Sequence, residues 1–260
     1  MKNNKILKIL KKKNKEPIAC LTAYSKNIAG ILDRYCDIIL VGDSLGMVLY
    51  GMKTTKEITI ETMMLHAKAV KKATKKSLVV FDMPYKTYTN KINAYANAKK
   101  VMKFTGCDAV KLEGGKKIGK IIKYLVEKKI PVMGHIGLLP QSTKKYQVQG
   151  KNLIQRKKIL NDALTIYKAG AFSMVIECVY ESLAKEITKS INIPTIGIGA
   201  SKYCDGQILV TDDMVGMSNF CPKFVKKYSK LNKIIATSVK KYCRDVKLRK
   251  FPGKKNIYKL

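Results

Sequence analysis

The 260-residue sequence predicts an α/β fold of the (β/α)8 TIM-barrel type, with a short helix ahead of the first strand. Three observations carry that prediction. Eight short, β-branched apolar runs recur along the chain, helix-like stretches separate most of them, and charged residues gather at the C-terminal ends of the runs. No composition break or flexible linker interrupts the sequence, so one domain over residues 1–260 is expected.

The chain opens "MKNNKILKILKKKNKEP", where Ile6, Leu7, Ile9 and Leu10 recur at helical spacing and predict a short amphipathic helix. Lys8 breaks the apolar stretch, so the segment has no h-region of a secretory signal. Strands are expected at "IACLTA" (18–23), "DIILVG" (37–42), "SLVVFD" (77–82) and "AVKLEG" (109–114). "IPVMGHIG" (130–137), "SMVIEC" (173–178), "IPTIGIG" (193–199) and "QILVT" (207–211) complete the eight. Helices are read between them, as in "NAYANAKKVMKFTG", "KKIGKIIKYLVEKK" and "ESLAKEITKSIN". The segments "IPVMGHIG" and "IPTIGIG" share an I-P-x-hydrophobic-G pattern two βα units apart, which makes them strands 5 and 7. The second crossover (43–76) is long and the seventh is too short for a normal helix, so a doubly wound open sheet is the structural alternative.

A net charge of +34 keeps a polyanion-binding class in view. It is carried by 48 lysines against 4 arginines (Arg34, Arg156, Arg244, Arg249), spread along the whole chain. Specific base and phosphate recognition favours the arginine fork, and no zinc-finger spacing or RRM signature is present. The expectation is a solvated lysine surface with weak, nonspecific polyanion binding and no specific nucleic-acid partner. The 7 cysteines are scattered without a C-x-x-C, which argues for reduced thiols and a cytoplasmic location. No apolar run approaches the roughly 18 residues of a membrane span.

The polar residues within the strands point to function. In "AVKLEGG", Lys111 and Glu113 stand two apart and share one face, so a central strand would bury both charges. Buried charges need a partner or something to coordinate. Asp43 follows strand 2, Asp82 ends strand 3, His135 ends strand 5 and Glu177 ends strand 6. A lone Asp after a strand is commonly a helix N-cap. Six polar residues at five successive strand ends instead mark the rim where barrel active sites are built. His66, in the helical "ETMMLHAKAV", reads as a packing or hydrogen-bonding residue. Carboxylates with little sulfur or imidazole around them suit a hard cation such as Mg²⁺. The nearby glycines form neither a P-loop nor a G-x-G-x-x-G opening a helix. The residues alone thus indicate a Mg²⁺-dependent barrel enzyme for a small anionic substrate, with Glu177 or His135 moving a proton.

Eight segments in register carry a further reading. "ILVGDSLGMVLYG", "DMPY", "VKLEGG", "PVMGHIGLLPQS", "YQVQGK", "IECV", "IPTIGIGAS" and "CDGQILV" together closely resemble the ketopantoate hydroxymethyltransferase family, over nearly the whole chain. The resemblance implies a (β/α)8 barrel assembled as a homo-oligomer, with a decamer as the family's example. It also implies transfer of a one-carbon unit from 5,10-methylenetetrahydrofolate to 3-methyl-2-oxobutanoate (α-ketoisovalerate), giving 2-dehydropantoate in pantothenate and coenzyme A biosynthesis. Carried over by motif, Asp43, Asp82 and Glu113 are the Mg²⁺-coordinating carboxylates. Asp43, Ser44, Asp82 and Lys111 contact the ketoacid, Glu177 is the catalytic base, and His135 supports substrate binding or proton transfer.

Some positions depart from the family pattern. The loop "PQSTKKYQVQGK" is short and lacks a glycine pair, Tyr180 replaces a proline, "DDM" at 212–214 replaces "HDM", and the histidine after "FP" is missing. The altered loop motivates a rival, a catalytically slack relative kept for interactions; the charge motivates another, a polyanion-binding protein. A C–C lyase or mutase of the phosphoenolpyruvate and isocitrate lyase kind would share the rim acids, but its K-x-C-G motif is absent.

Overall fold

The computed structural model describes residues 4–143, 146–218 and 221–258. Lys144 and Lys145, in the loop that the sequence marks as shortened, lie outside the described residues. Where the sequence reading treats 1–260 as one domain, the chain divides into two compact units, Met1–Val210 and Thr211–Leu260.

The first unit holds the eight strands: β1 (Ile18–Thr22), β2 (Ile38–Val41), β3 (Leu78–Asp82), β4 (Ala109–Lys111), β5 (Val132–Gly137), β6 (Ser173–Glu177), β7 (Thr195–Ile198) and β8 (Gly206–Leu209). They form a closed parallel barrel in chain order. Pairing of β1 with β8, from Ile18 opposite Gly206 to Leu21 opposite Leu209, closes the sheet and excludes the open alternative. Helix α1 (Asn4–Lys11) precedes β1, and α2 (Lys26–Leu32) fills the first crossover. The long second crossover holds α3 (Leu45–Tyr50) and α4 (Ile60–Ala73). Then come α5 (Lys91–Thr105), α6 (Gly119–Glu127), α7 (Leu153–Lys168) and α8 (Glu181–Ser190). The seventh crossover carries no helix among the described residues, as its length requires.

Strand alternation sorts the core into two layers. Ile18, Cys20, Ile38, Leu40, Leu78, Val80, Met133, Val175 and Ile208 pack inside the barrel. Their neighbours Ile39, Val79, Phe81, Val110, Ile136 and Ile176 point outward under the helices, against residues such as Met63, Ile122 and Ile166. Fully burying each such aliphatic side chain contributes about 1.5–3 kcal/mol. Ile9 of α1, 3% exposed, joins the inner layer, so the predicted amphipathic helix packs onto the barrel interior. Helices α2, α4, α5 and α7 are N-capped by Ser25, Thr59, Asn90 and Asn152, whose side chains each accept a backbone N–H of the first turn. Asp43 and Asp82 occupy none of those cap positions.

The second unit contains the four-residue helix α9 (Thr211–Met214) and α10 (Leu231–Lys247), which has no buried residue. Among the described residues no helix is long and apolar enough to cross a membrane.

Candidate active site

Alternation decides which side chains reach the barrel's C-terminal mouth. Asp82 shares the inward face of Leu78 and Val80, and Glu177 that of Ser173 and Val175. His135 follows Met133 by two, and Lys111 follows Ala109 by two. Strand β4 ends at Lys111, yet its ladder continues: Leu112 N–H donates to Met133 O (3.1 Å) and Gly114 N–H to His135 O (3.3 Å). Glu113 therefore still points inward. Gly114 and Gly115, at φ +147° and +58°, then turn the chain away where a Cβ at Gly115 would meet the Asp162 carboxyl at 2.4 Å.

All six strand-end residues singled out from the sequence lie together in the first unit. Asp43, Asp82, Lys111, Glu113 and His135 are buried, at 7% exposure or less. The Glu177 side chain is more open, at 17%. The Lys111 ammonium donates to both oxygens of Asp82, each at 2.8 Å. The backbone N–H of Asp43 reaches Asp82 Oδ2 at 3.4 Å. His135 lies between two acids, with Nδ1 3.6 Å from Glu113 Oε2 and Nε2 3.2 Å from Glu177 Oε2. Neither contact has the alignment of a hydrogen bond, so among the described residues neither ring nitrogen has a hydrogen-bond partner. Ser44, half-buried beside Asp43, has its Oγ 2.9 Å from the Tyr24 hydroxyl.

Sequence reasoning gave no role to two residues that complete this cluster. Gln141, from "LLPQS", donates its side-chain amide to Asp43 Oδ2 (2.8 Å) and Met83 O (3.0 Å), and its backbone N–H to Glu113 Oε1 (2.8 Å). Tyr88 donates its hydroxyl to Gln141 Oε1 and to Glu113 O. A glutamine directly after the apolar Leu-Leu-Pro run was the signal the sequence offered. His66 is a hydrogen-bonding residue as expected, with Nδ1 2.6 Å from Tyr24 O and Nε2 3.0 Å from the Tyr50 hydroxyl.

The electrostatics follow from crowding acids out of water. Burial, then repulsion from Asp82, raises the Asp43 pKa to about 7, although Lys111 and Gln141 oppose the rise. Burial raises Glu113 to about 9, with Asp43, Asp82 and Glu177 adding to the effect against Lys111. Burial opposes the charge on Lys111, but Asp82, Asp43 and Glu113 outweigh it and hold the ammonium protonated above its usual range. Burial and then Lys111 lower the His135 pKa, which keeps the imidazole neutral. Among the described residues, four carboxyls thus face one buried ammonium, that of Lys111. Asp43 and Asp82 bring hard oxygens to neighbouring strand ends, with both Asp82 oxygens held by Lys111, and carboxylate oxygen is the donor type Mg²⁺ takes. Among the described residues no three of His, Cys, Asp and Glu are grouped so that together they could hold a metal ion. Glu113 turns instead to Gln141 and His135.

Known proteins match along the whole barrel. A 3-methyl-2-oxobutanoate hydroxymethyltransferase of Pelagibacter ubique (strain HTCC1062) is 55% identical over 256 residues, covering 98% of this chain and 100% of that protein. The enzyme of that name from Anaplasma marginale (strain Florida) is 51% identical, covering 97% and 92%. In fold, the chain resembles the solved 2,3-dimethylmalate lyase, a PEP mutase/isocitrate lyase superfamily member, with TM-score 0.64 at 12% identity over 96% of this chain and 86% of that one. The ketopantoate hydroxymethyltransferase model matches residues 3–254, and the chain belongs to that family of hydroxymethyltransferase enzymes.

Proposed function

We propose that this enzyme transfers a hydroxymethyl unit from 5,10-methylenetetrahydrofolate to 3-methyl-2-oxobutanoate, forming 2-dehydropantoate through an enolate. The observation that carries the reading is the buried rim of four carboxyls around one lysine, with the most open carboxyl, Glu177, at its edge. Asp43 and Asp82 would hold Mg²⁺, with Glu113 next to them. When bound, the ion supplies a Lewis acid for the ketoacid's oxygens and stabilises enolate charge.

The protein's own groups divide the remaining work. Lys111, kept protonated, balances the ketoacid carboxylate, and Ser44 presents a hydroxyl to the same substrate. Glu177 removes the proton from C3. Its partial exposure lets that proton leave, and neutral His135 at 3.2 Å stands ready to steady or relay it. The same reading places the enzyme in the cytoplasm, supported by seven free thiols. It also includes assembly of several copies. On α10, Ile235, Val239, Tyr242 and Val246 recur at helical spacing and are all exposed, an apolar stripe of the sort that subunit contacts cover.

The test is proton exchange at C3 of 3-methyl-2-oxobutanoate in D₂O, followed by NMR without folate. Exchange that requires Mg²⁺ is expected; no exchange in either condition overturns the reading.

A further inference from the structure

We infer that Gln141 is a positioning residue for the cation site: clamped by Tyr88, it aims the Asp43 carboxylate and ties Glu113 to the same point. This rests on the function proposed above. Gln141 is 2% exposed, and from the loop after β5 it reaches the loops after three other strands, through Asp43, through Met83 and Tyr88, and through Glu113. Its amide can face only one way. With Nε2 toward Asp43 Oδ2 and Met83 O, and Oε1 toward the Tyr88 hydroxyl, every polar atom of the side chain has a complementary partner. The flipped amide would aim its oxygen at a carboxylate and a carbonyl.

Its backbone is fixed as well. Ser142 and Thr143 both donate N–H groups to Leu139 O at 2.9 Å, closing a turn around Pro140 and Gln141. That turn delivers the Gln141 N–H to Glu113 Oε1 while the side chain takes Asp43. One oxygen of Asp43 is thus engaged by the glutamine, and the carboxylate is held in a single orientation. Its polar contacts are to Asp43, Glu113, Met83 and Tyr88, so it acts through the two acids. Groups that hydrogen-bond a ligating carboxylate orient it, and losing one typically costs about 10–100-fold in metal affinity.

Mn²⁺ binding, read by electron paramagnetic resonance on the full-length protein, tests this without turnover. Gln141→Met, which fills the same space without donors, should raise the Mn²⁺ Kd by about 10–100-fold. Tyr88→Phe keeps both donated bonds but frees the amide that aims them, and should raise Kd by a smaller factor. Thr195→Val, at the other end of the barrel, controls for stability: it should lower the melting temperature and leave Kd alone. If Gln141→Met does not fold, Tyr88→Phe decides. A wild-type Kd in the folded variants overturns the role of Gln141 alone. A wild-type protein that binds no Mn²⁺ removes the proposed function, and this inference with it.

Discussion

The two ends of the same barrel use carboxyl groups in opposite ways, half-buried at the N-terminal end and mostly buried at the C-terminal end. At the N-terminal end, each acid accepts backbone N–H groups from the start of a neighbouring strand. Asp37 accepts from Ala19 (3.0 Å), Asp108 from Val79 (2.9 Å) and Asp205 from Thr195 (2.8 Å). Each also meets a lysine: Lys12, Lys71 and Lys13, respectively, at 2.7–2.8 Å. Asp33 accepts from Lys75, Lys76 and Ser77. Burial would raise its pKa, but those N–H groups outweigh it and hold the carboxyl below its ordinary value. At the C-terminal end, acids face acids. Asp43 and Glu113 are pushed to about 7 and about 9, and one lysine serves the whole group. Satisfied carboxylates staple strands together. In the proposed reaction the frustrated ones would hold a place for the cation and ketoacid, whose arrival would offset the energy they cost.

Substitutions at matched positions should break that symmetry most visibly. Asp205→Asn unpairs Lys13 in a site where both side chains are at most 8% exposed. The expected cost is about 3–5 kcal/mol, seen as a lower denaturation midpoint. C3 exchange by the protein that remains folded should be unchanged. Asp82→Asn should instead weaken Mg²⁺ and ketoacid binding together. Normal Mg²⁺ dependence in Asp82→Asn, or lost exchange in folded Asp205→Asn, would dissolve the distinction. Glu177→Gln keeps shape but removes basicity, and C3 exchange should fall by ~10²-fold or more. This loss must appear without folate, since proton removal precedes carbon transfer. Should exchange persist while the full reaction fails, Glu177 serves the one-carbon unit and His135 becomes the candidate base.

The pH dependence of stability should also differ between the two ends. Asp43 and Glu113 have folded pKa values above their unfolded ones, near 3.8 and 4.5. The native state therefore holds protons that the unfolded chain has released, and stability declines as pH rises. The decline runs from about pH 4 to 7 for Asp43 and up to about 9 for Glu113. Asp33 has the opposite sign: its contribution is present above pH 3.8 and is lost as pH falls through its lowered folded value. Denaturation midpoints at pH 5 and pH 9 check this. The metal-free wild type should lose stability between them, and Glu113→Gln should lose less. Equal losses in both proteins would mean that Glu113 is not a strained acid.

How much of this was legible follows from what each feature needs. Strands such as Leu78–Asp82 and Ser173–Glu177 were readable because apolar residues at period two run into an acid, and the same period fixes which side the acid faces. The boundary after β8 was not readable, because no linker composition marks it. Gln141 and Tyr88 were missed for a related reason. Gln141 contacts Asp43 across 98 residues and Tyr88 across 53, and neither belongs to a periodic element that would announce its direction. The stapling aspartates at the N-terminal end went unremarked because an acid before a strand looks the same in sequence whether it binds water or a buried N–H. Alternation reveals facing; only closure of the barrel reveals neighbours.

The smallest expected effect concerns the outer surface, where charge is abundant and unorganised. The chain carries +34, yet the site's one buried ammonium belongs to Lys111, held by carboxyls. Surface lysines pair loosely: Lys100 reaches Glu61 at 2.9 Å with both side chains more than half exposed. Others lie over aromatic rings, such as Lys68 over Phe104 and Lys185 over Tyr203. Such groups attract any polyanion by counterion release, with affinity falling steeply as salt rises. RNA or heparin should therefore bind at low salt, lose nearly all affinity near physiological salt, and leave C3 exchange unchanged throughout. Binding that survives physiological salt and depends on nucleotide sequence would show organised recognition on the surface, and the charge could no longer be set apart from function.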